Sequence, residues 1–400
     1  MLKIAFINTE WLPIPPVKGG AVEEWIQQVS HLLGEDIFVF SIFHPSLPQL
    51  HKDGQVAYYH FKPNRLARLL LSTYRLPFKK ESSYLYYLPY SFWCAWKLRS
   101  IKPDIIHIHN RPQFVRIIRL LNPEAKIVLH IHQLSAMEER NLWTKKFIDS
   151  VDLLLGCSNF IVNQIKKHFP LIKPEKIGMV YNGLDMGAIQ TKREQEEKIP
   201  GLSARYSLEG SKVILYVGRL VENKGADLLI GALRDLIKNG KRNLKLILCG
   251  AAGYSRNELT PYIKKLHDLS EEIKDNVVFT GYVSHEDLLD YYLVADLVVI
   301  PSLVEEGFCI VAIEAMAFGV PLIVPNRGGL GELVQDLGGG KLLDKVSEKT
   351  IEEAVEDFFL NEEKYKLSSK KNMKRVSQEF AWDKICGDVL VYYKELVSNG

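Results

Sequence analysis

Short apolar runs recur along the whole chain with amphipathic stretches between them, and this alternation limits the fold more than any other feature. In the first half the runs are K-I-A-F-I, I-F-V-F-S, I-I-H-I-H, K-I-V-L-H-I-H and L-L-L-G-C-S. The second half starts again with Lys212–Val217, Leu244–Cys249, Val277–Thr280, Leu297–Ile300 and Pro321–Val324. Each is rich in Ile, Val, Leu and Phe and bounded by polar residues, as in a parallel sheet covered on both faces. Helical patterns fill the gaps, among them Ala21–Leu33, Phe114–Leu121 and Ala226–Lys238. A polar, charged stretch, T-K-R-E-Q-E-E-K-I-P-G at 191–201, has the composition of an interdomain linker. Four hundred residues exceed one ordinary core. The expectation is two doubly wound α/β domains, 1–190 and 201–376, and a helical tail 377–400. Such sheets bind ligands at the carboxyl ends of their strands.

Composition narrows the class. Hydrophobic residues make up 47% and charged residues 25%, as in a soluble globular enzyme. No apolar run reaches the ~18 residues of a membrane span. The opening M-L-K-I-A-F-I-N reads as a buried strand and lacks the features of a signal peptide. Cys94, Cys157, Cys249, Cys309 and Cys386 are odd in number, scattered and never in C-x-x-C. That pattern favours reduced thiols, a cytoplasmic location and no structural zinc. Charge is uneven: residues 1–190 hold 23 Lys+Arg against 15 Asp+Glu, and 191–400 hold 28 against 33. A basic first half suits an anionic partner, either an acidic acceptor or a phospholipid surface. Residues 63–80, P-N-R-L-A-R-L-L-L-S-T-Y-R-L-P-F-K-K, have five cations and no acid, as an interfacial helix at an anionic membrane would; an ordinary surface helix fits too. No nucleic-acid partner is expected.

Several motifs carry chemistry. Gly19-Gly20 precedes the first helix, where glycines let a backbone approach a diphosphate and the helix start supports its charge. The pair is not G-x-G-x-x-G, and a plain strand-to-helix turn explains it equally. The second half opens with L-Y-V-G-R-L-V-E-N-K-G. Arg219 and Lys224 there flank a loop between a strand end and a helix start, a placement that suits a pyrophosphate; two solvated cations are the plainer reading. Gly281-Tyr282-Val283 ends a further strand, where backbone groups can read a base edge and Tyr282 can pack on it. Pro301-Ser302 leads into E-E-G-F-C-I-V-A-I-E-A-M-A, with Glu306 and Glu314 eight positions apart around a Gly-marked turn. A carboxylate before such a turn and another two turns into the helix both suit polyol hydroxyls. Alternatively, this is one core helix with two solvated glutamates. Gly328-Gly329 and Glu332 follow in N-R-G-G-L-G-E.

The order of these pieces, on two α/β halves, resembles the retaining glycosyltransferases of family 4, which have the GT-B fold. The resemblance covers almost the whole chain. Within the family, P-V-K-G-G-A and H-I-H-Q-L-S-A look most like the spore-coat branch. The resemblance implies two Rossmann-like domains facing each other across a cleft, an N-terminal one for the acceptor and a C-terminal one for the nucleotide sugar, with a C-terminal helix returning to the first. It implies that Glu314 binds ribose hydroxyls, and that Glu306, with the amides of Phe308, Cys309 and Ile310, holds the donor sugar and diphosphate. Arg219 and Lys224 would neutralise the departing diphosphate, Gly19 and Gly20 would complete its cradle, and Tyr282 and Val283 would touch the base. It further implies transfer with no metal and no other cofactor, in keeping with the lack of an Asp-x-Asp motif. The donor would be a UDP-sugar by family habit, and the acceptor a carbohydrate, a lipid-linked species or another hydroxyl compound. Cell-envelope or spore-coat glycan synthesis is the implied setting, at the inner face of the membrane or in the coat. A non-enzymatic coat or carbohydrate-binding protein and a sugar-nucleotide epimerase or hydrolase remain alternatives.

The first half also holds His107 and His109 in I-I-H-I-H-N, and His130 and His132 in V-L-H-I-H-Q, each pair sharing a strand face. Four histidines fit a metal site, but the usual carboxylate partner is missing, so structural roles are expected for His107 and His130. By the resemblance, His132 lies against the transferred sugar as a catalytic group, and His109, Asn110 and Gln133 face the acceptor.

Overall fold

The structure, a computed structural model, describes residues 1–17, 19–65, 83–138, 150–195, 199–241, 243–253 and 258–398. The chain divides into two compact units, Met1–Asn182 with Trp382–Gly400, and Gly183–Ala381. Segment 63–80, the expected membrane-facing helix, lies outside the described residues beyond residue 65.

The first unit holds β1 (Lys3–Ile7), β2 (Asp36–Ile42), β3 (Leu50–Asp53), β4 (Val56–Phe61), β5 (Ile105–His109), β6 (Lys126–Ile131), β7 (Leu153–Gly156) and β8 (Ile177–Met179). They lie in the order β3-β4-β2-β1-β5-β6-β7-β8. All neighbours are parallel except β3 and β4, an antiparallel pair at the edge. The central strands are almost wholly buried, which is why they read as unbroken apolar runs. Helix Ala21–Leu32 lays Trp25, Ile26 and Val29 into the core. Trp25 meets Phe6 edge-on at 6.1 Å, and its indole N–H donates to the Tyr181 carbonyl at 3.2 Å.

The C-terminal helix Trp382–Ser398 belongs to this same unit. Trp382, Ile385, Cys386, Val389 and Tyr393 enter its core. The Met179 amide donates to the Tyr392 hydroxyl at 3.2 Å, and the Tyr392 ring fills the space beside Gly178, where a Cβ would lie 2.6 Å away.

The second unit holds β9 (Lys212–Val217), β10 (Leu244–Cys249), β11 (Val277–Gly281), β12 (Leu297–Val299), β13 (Leu322–Pro325) and β14 (Gly340–Leu343). Their order is β11-β10-β9-β12-β13-β14, parallel throughout. The chain enters this unit at Gly183 and leaves it after Ala381, so the charged stretch 191–201 is not the connection between units. Part of that stretch is helix Met186–Glu194, whose Lys192 is buried in an ion pair with Asp290 at 2.9 Å. Helix Glu362–Glu379 ends at Phe380, which is still in the second unit.

Both sheets reverse their strand order at their first strand: β1 lies between β2 and β5, and β9 between β10 and β12. Such switch points open a crevice at the carboxyl ends, where ligands bind. All five cysteines are buried thiols. No helix among the described residues is long and apolar enough to cross a membrane.

Gly225 shows how tightly the second switch point is closed. Its φ is +70°, and a Cβ would lie 2.2 Å from the Pro301 carbonyl oxygen beyond β12. Gly225→Ala therefore meets both backbone strain and a main-chain collision. It should cost about 2 kcal/mol or more in urea unfolding, and an unchanged midpoint would contradict this packing.

Candidate active site

At the carboxyl end of β9, Gly218 and Gly250 bring two backbones together; a Cβ on Gly250 would sit 1.8 Å from the Gly218 carbonyl oxygen. A pocket of about 160 Å³ opens here, lined among others by Val217, Arg219, Ala251, Tyr282 and Val283. Three expected donor residues, Arg219, Tyr282 and Val283, thus share one concavity. Arg219 is exposed, and its carbonyl accepts from the Tyr216 hydroxyl at 2.9 Å. Tyr282 is 44% exposed.

Lys224 and Glu306 come from opposite sides of the switch point and meet directly as an ion pair. The Ser302 hydroxyl donates to the same Glu306 oxygen at 2.8 Å. The Leu303 amide donates to the Asn223 carbonyl at 2.9 Å, tying the two loops together. Gly328 and Gly329 fix the Glu306 backbone. The Gly329 amide donates to the Glu306 carbonyl at 2.7 Å, and a Cβ on Gly328 would lie at 2.7 Å from that oxygen and 2.9 Å from the Glu306 nitrogen. The N-R-G-G segment therefore serves the site through main-chain approach.

Helix Ile310–Ala317 follows, with Cys309 at its N-cap. Phe308 and Ile310 are half-buried at its start, and Phe308 packs on Phe380 at 6.0 Å. Burial, and then the Glu306 charge, push the Cys309 thiol up to about 12, so it is inert. Glu314 is 2% exposed, and both its oxygens are engaged. Tyr292 donates to Oε2 at 2.7 Å and His285 Nε2 meets Oε1 at 2.6 Å. Burial, and then the Glu314 charge, hold the Tyr292 hydroxyl well above its ordinary value, which keeps it a donor. His285 and Tyr292 were not singled out from the sequence. Their signal is the spacing i, i+7 in H-E-D-L-L-D-Y-Y, which puts both on one helix face.

In the first unit, Gly19 and Gly20 have φ of +74° and +128° and precede helix Ala21–Leu32. A Cβ on Gly20 would strike Glu23 Oε2 at 2.1 Å. Glu23 is buried and accepts from Asn8 Nδ2 at 2.9 Å; burial raises its carboxyl above the ordinary value. Beside it Glu10 and Arg111 form a buried bidentate pair at 2.7 and 2.9 Å. Arg111 also lies under Trp11 and against Tyr87, each 5.5 Å from the guanidinium. Glu10 and Arg111 are far apart in sequence, and no local pattern joins them.

The four histidines form one buried group beneath Trp25. His109 Nδ1 meets His132 Nε2 at 3.0 Å, and His107 Nδ1 meets the Tyr393 hydroxyl at 2.5 Å. His109 is fully buried. Asn110 is buried at φ +53°, and its Oδ1 accepts the His132 amide at 2.7 Å, so its side chain braces the loop after β6. Gln133 is exposed. His132 stands at the edge of the group, 9% exposed.

Burial is the main reason all four imidazoles stay neutral, and for the inner three their histidine neighbours add to it. His132 is brought down to about 3 by burial, against a partial opposing effect of Asn182. Below pH 6.5 the unfolded chain takes up protons that the folded chain refuses. Stability should therefore fall with falling pH from that value, by up to about 1.4 kcal/mol per pH unit per histidine. The loss from His132 levels off only near pH 3. Calorimetric melts between pH 6.5 and about 5 should show a steep decline in Tm of the first unit, and a flat profile would contradict neutral histidines.

Comparison with known proteins gives matches over both units. A family described as "Glycosyltransferase Family 4" matches residues 23–187, and one described as "Glycosyl transferases group 1" matches 203–375. The chain is similar to the spore coat protein SA of Bacillus subtilis strain 168, at 28% identity over 98% of this chain and 100% of that one. It is similar to the putative glycosyltransferase YtcC of the same organism, at 31% identity over 95% and 89%. Among solved structures it shares its fold with Anabaena Alr3699/HepE in complex with UDP-glucose, with a TM-score of 0.75, 18% identity, and coverage of 99% of this chain and 100% of that one.

Proposed function

The chain belongs to glycosyltransferase family 4, and from that membership we propose that it transfers a sugar from a UDP-sugar to a hydroxyl acceptor with retention of anomeric configuration. The observation that carries the donor half is the meeting, within one unit, of an Arg219/Tyr282/Val283 pocket, the Lys224–Glu306–Ser302 group and the buried Glu314 carboxylate. These are groups of the kinds that suit a base, a diphosphate and a ribose respectively. The UDP-glucose bound to HepE supports uridine as the base.

In this mechanism the bond from the anomeric carbon to the diphosphate breaks as the acceptor hydroxyl oxygen bonds to the same face. The hydroxyl proton passes to a diphosphate oxygen, and the nucleoside diphosphate leaves. Arg219 and Lys224 stabilise the departing charge. An ammonium has three donors, so Lys224 keeps Glu306 as a partner while reaching a phosphate oxygen. Glu306 and the amides of Phe308, Cys309 and Ile310 hold the sugar and diphosphate. Glu314, already fixed by Tyr292 and His285, accepts from the ribose hydroxyls. Gly20 offers its main-chain N–H while Gly19, whose own N–H donates to the Pro16 carbonyl at 2.8 Å, shapes the turn; neutral His132 orients the sugar, and Gln133 faces the acceptor. The cation pair takes the place of a divalent ion at the leaving group. The similarity to spore coat protein SA supports an envelope or coat glycan as acceptor, made at the cytoplasmic side.

Incubation with a panel of UDP- and GDP-sugars tests the reading by nucleotide release, with product anomers assigned by NMR. Binding without turnover would favour a carbohydrate-binding protein, and release without an acceptor a hydrolase. Lys224→Ala or Arg219→Ala should lower kcat about 10²–10³-fold, or ~2.7–4 kcal/mol. Glu314→Ala should mainly raise the donor KM, on the scale of a hydrogen bond to a charged group, about 1.5–3 kcal/mol. Wild-type turnover in the cation variants would overturn their assignment.

A further inference from the structure

The histidine group in the first unit is not accounted for by donor or acceptor chemistry. His107, His109 and His130 come from adjacent parallel strands, with His109 opposite His130 in register. All three are fully buried. One ring nitrogen from each lies within 4.8 Å of the other two. Nε2 of His107 and Nε2 of His109 have no hydrogen-bond partner, and neither nitrogen of His130 makes a well-formed one. Buried polar atoms are normally satisfied, and those without a protein partner point to a water or an ion.

The remaining bonds around the group have the form that a metal site requires. A ligating histidine donates its other ring N–H to a neighbour, which fixes its tautomer and orientation. Here His107 uses Nδ1 toward the Tyr393 hydroxyl, and His109 uses Nδ1 toward His132 Nε2. In both rings the nitrogen left over is Nε2. We propose that His107, His109 and His130 bind one divalent first-row metal ion of the zinc class, holding β5, β6 and the C-terminal helix together.

Three imidazoles with a water as the fourth ligand match that class of ion. Ordinary Zn–N bonds of about 2.0–2.1 Å require the three nitrogens to draw together and the His107 and His109 rings, now 10° from parallel, to turn so that both aim at the ion. Neutral imidazoles bind a metal without first losing a proton. The ion is structural. It touches no donor-binding residue, and it bears on His132 through the His109 hydrogen bond and through the His130 ring, whose centroid lies 4.0 Å from that of His132. The proposal stands whether or not glycosyl transfer is the activity.

The test uses the full chain without an affinity tag. Elemental analysis of the purified protein should find one zinc-class ion per chain. After chelation, Co²⁺ added alone should give the visible absorption of a tetrahedral nitrogen site, with no near-ultraviolet thiolate band from the buried cysteines, and should raise Tm. His107→Gln and His130→Gln should each abolish uptake, while His168→Gln, far from the group in sequence, should keep it. Folding of each variant is checked by circular dichroism. If the folded wild-type chain contains no metal and takes up neither Zn²⁺ nor Co²⁺, the nitrogens are served by buried water and the proposal fails. A thiolate band would overturn it equally.

Discussion

A parallel sheet covered on both faces leaves polar chemistry only one place to go, the ends of its strands. In the second unit this constraint acts through main-chain contact. Gly225 abuts the Pro301 carbonyl, Gly250 the Gly218 carbonyl, and Gly328 the backbone of Glu306. With these backbones in contact, Lys224 and Glu306, 82 residues apart, reach each other across the switch point. The Lys224–Glu306 pair therefore depends on where glycine allows two loops to touch.

Burial then separates groups that look alike. Glu306 is half-buried and shares Oε1 with an ammonium and a hydroxyl. Glu314 is almost fully buried, and each oxygen has its own donor. A buried carboxylate is costly unless hydrogen-bonded, so Tyr292 and His285 are the condition for having Glu314 there at all. The first unit solves the same problem differently. The Glu10–Arg111 pair is bidentate and buried, and such a pair favours one geometry more than it adds net stability. It fixes Trp11, which is 58% exposed, from below.

Much of this was legible because it is local. β9, β10 and helix Ala226–Lys238 begin and end where the apolar runs indicate, since a strand buried on both faces has no reason to alternate. The edge strand β3 is not legible, because L-H-K-D is mostly exposed and carries no apolar signal, whereas V-A-Y-Y-H-F of β4 is mostly buried and does carry one. The charged stretch 191–201 looked like a linker because composition does not record partners; Asp290, on a later helix, draws Lys192 inward. The site divides in the same way. Glu306, Glu314, Arg219 and Lys224 sit in motifs with their own glycines. Glu10, Glu23 and Arg111 acquire meaning only when the chain folds, and the burial of His109 and Asn110 depends on the Trp25 indole and the loop after β6.

These environments bear on how a sugar could be transferred with retention. A double displacement needs a free carboxylate nucleophile and a second group to give and take protons. Glu314 has both oxygens engaged, and Glu306 shares an oxygen with Lys224. His132 is held neutral by burial down to about pH 3 and cannot serve as a protonated acid near neutrality. None of the three has the environment that acid–base or nucleophilic work would demand. What the second unit does supply is positive charge beside a helix start, which in the proposed transfer would stabilise a departing diphosphate without proton transfer from the protein. On that proposal the proton of the acceptor goes to the leaving group itself, and the carboxylates position the donor.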